Sequence, residues 1–392
     1  MNLILFDDPA IRIALLPLTY TRPVAAIRVG ILTIAEKWGS WLSQPVSYQT
    51  ETYLQSKYPA NSTSDNLMIN GALCPDEKLV AAVKALPKGY FLVKDQVLLA
   101  AYQPEQAMNE SNTIPYPYDL TLIDKTWKIF RENAAQLKID FARITSGRKS
   151  AAIEDKHTVV YNAENVFLEE GVYIRAAILN AETGPIYLGK NTIVQEGAII
   201  RGSFALGEGS HVNMGAKVRG DTSIGPFCKV GGEISNSVLF GYSNKAHDGF
   251  LGNSVLGEWC NLGADTNTSN LKNNYDTTRL WSHTTHSFEH TGLQFCGLIM
   301  GDHSKCGINT MFNTGTMVDV CSNIFGEGYP PNYIPSFAWG GSGGLITHQL
   351  DKCLETAERV LGRRNVALNA VDKGILSHIF ETTAPGRVWE RR

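Results

Sequence analysis

Residues 188–231 read LGKNTIVQEGAIIRGSFALGEGSHVNMGAKVRGDTSIGPFCKVG, and this stretch decides the fold. Every sixth residue is aliphatic: Leu188, Val194, Ile200, Leu206, Val212, Val218, Ile224 and Val230. Glycine often follows, at Gly189, Gly207, Gly225 and Gly231. A period of six is neither the 3.6 of an amphipathic helix nor the 2 of an ordinary strand. It fits short strands on the three flat faces of a triangular coil, with each sixth side chain turned inward and glycine easing the corners. Stacked coils then share one apolar axis. The sequence thus predicts a left-handed parallel β-helix of hexapeptide repeats.

Working outward, the phase slips by two and resumes at Phe250, Leu256 and Leu262, followed by Gly257 and Gly263. A third block runs Met300, Cys306, Phe312, Val318 and Ile324. On the N-terminal side, Val166, Val172 and Ile178 already show the spacing, so the coil is expected to begin near Val159. Two stretches read as interruptions, Ser235 to Ala246 and the polar run Asp265 to Gln294. A long excursion from a solenoid is usually functional or touches a neighbouring subunit. His283, His286 and His290 fall in the second one and read as loop packing or a trimer contact, with no metal expected.

Before residue 150 the pattern changes. Leu3–Phe6 and Asn66–Ile69 read as buried strands, 25–38 as a helix ended by Gly39, and 77–86 as a helix capped by Asp76. Strands alternating with helices predict an α/β layer domain. After Tyr329 an irregular segment leads to an amphipathic helix over 345–370, placed to cap the solenoid. The expected division is 1–150, an α/β nucleotidyltransferase-like domain; 151–344, the β-helix; and 345–392, a C-terminal helical cap.

Composition bounds the function. A net charge of −3 gives no reason to expect nucleic acid, and no run of 18 apolar residues offers a membrane span. The N-terminus lacks a basic region before its apolar residues, unlike a signal peptide. Seven scattered cysteines without a CxxC pair read as reduced thiols, and the protein is expected to be cytoplasmic.

His247 lies in NKAHDGFLGNSVLG beside the resumption of the repeat. Histidine suits a general base, because its ordinary pKa lies near working pH. Glu233 and Asn261 lie fourteen residues to either side, close to one coil away. Glu233 is thus placed to orient the imidazole. A solvated turn histidine is the competing reading.

Lys217 to Thr316 resembles the acetyltransferase domain of the bifunctional N-acetylglucosamine-1-phosphate uridyltransferase / glucosamine-1-phosphate acetyltransferase family. The resemblance rests on Lys245-Ala246-His247, Leu251-Gly252, Asn261-Leu262-Gly263-Ala264-Asp265-Thr266 and Asn273-Asn274-Tyr275-Asp276. It implies His247 as base, Glu233 as its orienting carboxylate, Asn261, Asn274 and Tyr275 as sugar contacts, and Arg219 on the phosphate. The family tyrosine after the histidine is Phe250 here, and a family lysine is Ser235. Lys245, Lys272 or Arg279 would have to restore that charge. Asn313 and Thr314 are candidates to meet acetyl-CoA, with turn-capping as the competing reading.

Leu16-Pro17-Leu18-Thr19 and Arg22-Pro23 resemble the start of sugar nucleotidyltransferases. Their Gly-rich phosphate loop is absent, and Ala72 stands where they carry a magnesium-binding aspartate. Arg12, Arg22 and Arg28 are the cations left for a nucleotide such as UTP, with a structural role as the competing reading of each, and Mg2+ is expected only if this domain is active.

The resemblance as a whole implies a homotrimer that acetylates glucosamine 1-phosphate or a close relative from acetyl-CoA. It also implies nucleotidyl transfer that forms a UDP-N-acetyl sugar. Three other readings stay open: a nucleotidyltransferase with a structural β-helix, acetylation of a different acceptor such as a nucleotide-linked amino sugar, and a non-catalytic sugar-nucleotide-binding regulator.

Overall fold

The computed structural model describes residues 2–103 and 106–390. The chain begins with a six-stranded mixed sheet of order β2-β1-β3-β5-β4-β6. These strands are β1 (Asn2–Phe6), β2 (Val46–Gln49), β3 (Asn66–Asn70), β4 (Phe91–Lys94), β5 (Val97–Tyr102) and β6 (Thr113–Pro115). β1 runs parallel to both β2 and β3, and β5 turns back antiparallel on β3.

Helices α1 (Pro9–Ala14), α2 (Ile34–Leu42), α3 (Glu77–Lys84) and α4 (Thr126–Thr145) accompany the sheet. Asp76 caps α3 as its sequence promised, accepting from the Leu79 N–H at 2.8 Å. The helix expected over 25–38 is different. It starts only at Ile34, behind a Thr33–Glu36 capping box, and runs through Gly39 to Leu42, where Ser43 takes the left-handed conformation. A capping box fixes a start more firmly than one glycine fixes an end.

From Val159 onward the described residues wind into a three-faced left-handed parallel β-helix, of nine stacked strands on the first face, nine on the second with Gly344–Thr347 added antiparallel at its end, and six on the third. The eight hexad aliphatics from Leu188 to Val230 point inward and are buried in one axial core, as are Met300, Cys306, Phe312, Val318 and Ile324. Leu188, Leu206 and Ile224 stack on the first face, one coil apart.

Three readings of the repeat are corrected. In the first coil Leu168, Ile174 and Leu179 are the deeply buried set, because the register pairs Leu168 with Leu188 and Ile174 with Val194. After the slip the inward residue is Leu251, paired with Ile234, whereas Phe250 lies beside Glu233. Ser235 to Ala246 is no interruption, since Glu233–Ser235, Val238–Gly241 and Asn244–Lys245 all keep their places in the three faces.

That coil is only shortened. Gly231-Gly232 joins two faces directly, where neighbouring coils use a longer corner. Gly232 has φ +68°, and a Cβ there would lie 2.6 Å from the Gly249 carbonyl and 2.8 Å from that of His247. A side chain at 232 would therefore meet the backbone of the next corner.

The polar run also begins later than its composition implies. Asn267–Thr268 still pairs with Met311–Phe312 in the coil. The excursion then forms an antiparallel hairpin, Arg279–Ser282 with Ser287–His290. It folds back on its own chain: Trp281 stacks on Tyr333 at 4.1 Å, His283 meets Asp319 at 3.0 Å, and Lys125 of the N-terminal layer pairs with Glu289.

The N-terminal layer and the coil share a core. Helix α4 lies across the first face, and Val238, Phe240, Val255, Ile299 and Met317 pack into the same cluster as Leu5, Leu15 and Leu18. At the heart of the junction Asp302 accepts two bonds from Arg22, at 2.9 and 2.6 Å, and one from Thr21 at 2.7 Å.

The segment expected as one cap helix is two, α5 (Leu350–Gly362) and α6 (Ala370–Thr382). They lie along the flank of the coils rather than closing their end, burying Cys353, Ala357 and Leu361 with Trp259, Val320, Cys321 and Phe337. On the third face the outward Ile199, Arg201 and Lys217 are exposed. All seven cysteines are free and buried. Among the described residues no helix is long and apolar enough to cross a membrane.

Candidate functional site

On the second face, Lys229, Asn244, Asn261 and Lys305 stand in register on successive coils. Outward residues of stacked strands form a column, about 4.8 Å per step. Helix α5 runs beside this column and contributes Thr356, Val360, Arg363 and Arg364. Between them lies a groove of about 660 Å3, whose rim includes His247. The Arg364 guanidinium donates to the Asn244 side chain at 3.3 Å, and Asn244 to that of Asn261 at 3.4 Å. Tyr242 and Trp259 stack at 4.2 Å along one edge. No aspartate or glutamate lines the groove. Burial and then the charges of Lys229 and Arg364 lower the pKa of His211, which adjoins Lys229 in the column.

His247 sits exposed in the corner between Lys245 and Phe250. Its backbone is held from below. Lys245 occupies an inward position, paired with Val230, where other coils carry aliphatics. Its ammonium donates to the carbonyls of Gly231, Asp248 and His247, the last a very short contact. Lys245 is therefore not the substrate contact that the resemblance implied. It is 1% exposed and fixes the corner that carries His247.

Burial pulls its ammonium down to about 8. A lysine depressed in the folded state binds its proton more weakly than in the unfolded chain, so stability rises with pH between the two values. Relative to Lys245→Met, the wild type should gain up to about 3 kcal/mol between pH 8 and 10.5, read from urea midpoints across that range.

Other expected residues are placed differently. Glu233 pairs with Arg219 at 3.1 Å and makes no hydrogen bond to the His247 ring, so within the chain it does not orient the imidazole. Lys272 is tied to the Thr277 carbonyl and to Asp276, and the Asn274 side chain accepts from the Asp276 N–H. Tyr275 is exposed, with φ +58°. These three form a turn that does not line the groove. Thr314 is buried and bonded to Ser269, and the Asn313 side chain accepts from the Thr314 N–H. Both belong to a turn, which leaves Thr314 no free group for acetyl-CoA. Lys229, Lys305, Arg363 and Arg364 were not singled out by sequence reasoning. The Arg-Arg pair at the end of the C-terminal helix was the one signal available.

The three N-terminal arginines are also committed elsewhere. Arg12 is bonded to Asp7, the Arg22 carbonyl and Tyr53. Arg22 serves Asp302 and Glu258, and Arg28 serves the carbonyls of Phe240 and Ile31. A cleft of about 460 Å3 does open at the ends of β1, β2 and β3, lined by Asp7, Arg12, Thr50 and Glu51. This is where open α/β sheets take ligands. A magnesium ion does not fit it well: Ala72 offers no ligand, Asp7 is spent on Arg12, Thr50 and the Val24 N–H, and no metal-holding group of His, Cys, Asp or Glu occurs among the described residues.

Residues 3–149 match the family model described as sugar nucleotidyl transferase. The N-terminal layer is nucleotidyltransferase-like. Curated relatives named Bifunctional protein GlmU also match part of the chain. That of Rippkaea orientalis is 33% identical over 128 residues, covering 32% of this chain and 24% of the relative. That of Trichodesmium erythraeum is 31% identical over 127 residues, covering 32% and 22%. That of Synechococcus elongatus is 28% identical over 156 residues, covering 38% and 30%.

The likeness to these GlmU proteins covers about a third of this chain. Each match spans less than a third of the GlmU relative's length. Among solved structures, the polySia specific acetyltransferase NeuO aligns over 55% of this chain and 97% of its own, at 12% identity and a TM-score of 0.28. The Arabidopsis UDP-N-acetylglucosamine acyltransferase aligns over 60% and 98%, at 11% identity and a TM-score of 0.19. The coil rests on its own strand registers.

Proposed function

We propose that this chain transfers an acetyl group from acetyl-CoA to the amine of an amino-sugar phosphate, glucosamine 1-phosphate or a close relative. The observation that carries the reading is the position of His247 on the rim of a groove lined by cations and side-chain amides. The amine nitrogen attacks the thioester carbonyl carbon and the C–S bond breaks. His247 takes the proton that the nitrogen loses, and the thiolate of coenzyme A leaves and is protonated. Asn261 and Asn244 offer amides to the sugar hydroxyls. The reading includes a homotrimer built across the third face, so the active species should scatter light at three times 43.0 kDa.

Nucleotidyl transfer is the second reading. It is favoured by the family match over 3–149 and by the cleft at the strand ends. One experiment addresses both. Purified protein is given acetyl-CoA with a panel of amino-sugar phosphates, and separately UTP with N-acetylglucosamine 1-phosphate. Thiol release with an acetylated product is the expected result. Absence of thiol release with every acceptor would overturn acetyl transfer, and pyrophosphate release in the second arm would install nucleotidyl transfer.

A further inference from the structure

The groove beside α5 contains four cations with no acid among its lining residues. Among the described residues the Lys229 and Arg363 side chains make no hydrogen bond or ion pair. Arg364 bonds only the neutral Asn244, and Lys305 donates to the His303 carbonyl at 2.7 Å. Surface lysines and arginines elsewhere in the chain are commonly paired. Lys57, Lys88, Lys125, Lys128, Arg148 and Arg359 each have a carboxylate within reach.

Four like charges gathered in one concavity repel each other and favour an anion that fills the space between them. Complementing the dipole at the end of α5 would account for Arg363 and Arg364. It does not account for Lys229 and Lys305, which come from separate coils on the opposite wall. Amides stand between the two pairs, at Asn244 and Asn261, and can donate to further oxygens. Planar guanidinium groups suit phosphoryl oxygens in particular.

We infer that the groove between α5 and the second face is a phosphoryl-binding site formed by Lys229, Lys305, Arg363 and Arg364. The C-terminal helix, on this view, is part of the binding machinery and not a cap. The inference rests on the acetyl-transfer reading only for the name of the ligand. The phosphoryl group belongs either to the sugar-phosphate acceptor or to coenzyme A.

Calorimetry on the full chain tests it, with inorganic pyrophosphate, coenzyme A, glucosamine 1-phosphate and glucosamine as probes. Binding of pyrophosphate and of at least one phosphorylated substrate is expected, with glucosamine silent. The Arg363→Gln/Arg364→Gln variant should weaken that binding tenfold or more. Arg359→Gln, on α5 but outside the groove lining, should leave it unchanged. Arg363 is exposed and Arg364 bonds only Asn244, so the double variant should fold, which circular dichroism checks. Loss of coenzyme A binding alone assigns the site to the donor, and loss of glucosamine 1-phosphate binding alone assigns it to the acceptor. Unchanged binding in the double variant, or no binding of any phosphorylated probe by the wild type, overturns the site. Binding that depends on the arginines without any acetyl transfer would sink the enzymatic reading and leave the site standing.

Discussion

Asp302→Ala is expected to cost about 3–5 kcal/mol of stability and to loosen the N-terminal layer from the coil. Asp302 is 3% exposed and meets four donors. One oxygen accepts from Arg22 and from the Glu258 N–H, both at 2.9 Å, and the other accepts from Arg22 at 2.6 Å and Thr21 at 2.7 Å. Removing the carboxylate leaves the Arg22 guanidinium, 2% exposed, with the half-exposed Glu258, the Leu18 carbonyl and the ring of Phe240 for company. An unpaired buried charge is far more costly than the intact pair is stabilising.

The double variant Arg22→Met/Asp302→Leu should therefore recover most of the loss. A double variant no better than Asp302→Ala would show that the charge is not the cause. Urea midpoints by tryptophan fluorescence give the magnitude, and hydrogen exchange in α4 shows whether the layers part. Paired with Arg22, the Asp302 carboxyl is held below the ordinary carboxylate value. Its contribution is present at neutral pH and fades as pH falls through that lowered value, so the variant should have a flatter acid limb than the wild type.

The hexads were legible because coil geometry dictates them. Any residue at the inward position must be apolar or fully satisfied, and aliphatics repeat visibly. Lys245 shows the limit of that rule. It holds an inward position and looks polar in the sequence, so the coil around it read as an interruption. Three carbonyls from the corners above and below make it tolerable inside. The shortened corner at Gly231-Gly232 compounded the error by shifting the phase. Glycine at the sixth-plus-one position reads the same in a normal coil and in one that has lost residues.

The site was legible only in part, for a different reason. Arg22 is conspicuous in its Leu-Thr-x-x-Arg-Pro context, but its partner Asp302 is 280 residues away. No local pattern announces such a pairing, and a nucleotide was the chemical expectation for a signature arginine. Arg363 and Arg364 follow the amphipathic helix α5 directly. Only the packing of α5 along the second face, set by Cys353, Ala357 and Leu361, brings them over Lys229 and Asn261. Glu233 was chosen for being one coil from His247. That separation does place its strand beside Phe250, but its carboxylate turns to Arg219.

That last detail sharpens the second large effect. His247→Ala should lower acetyl transfer by about 100- to 10,000-fold, the range that a general base supplies. The ring is exposed and makes no hydrogen bond among the described residues, so its removal should change stability by no more than about 0.5 kcal/mol. The loss should fall on kcat, with phosphoryl binding in the groove intact, because Lys229, Lys305, Arg363 and Arg364 are untouched. Glu233→Gln then separates two mechanisms. If His247 works as the corner holds it, with its backbone anchored by Lys245, the Glu233 variant should lose far less activity than His247→Ala. Equal losses would mean that Glu233 abandons Arg219 for the imidazole when substrate binds, and a parallel drop in Arg219→Gln would then be absent. An activity undiminished in His247→Ala would remove the base from the mechanism, while the groove and its cations would still need a ligand.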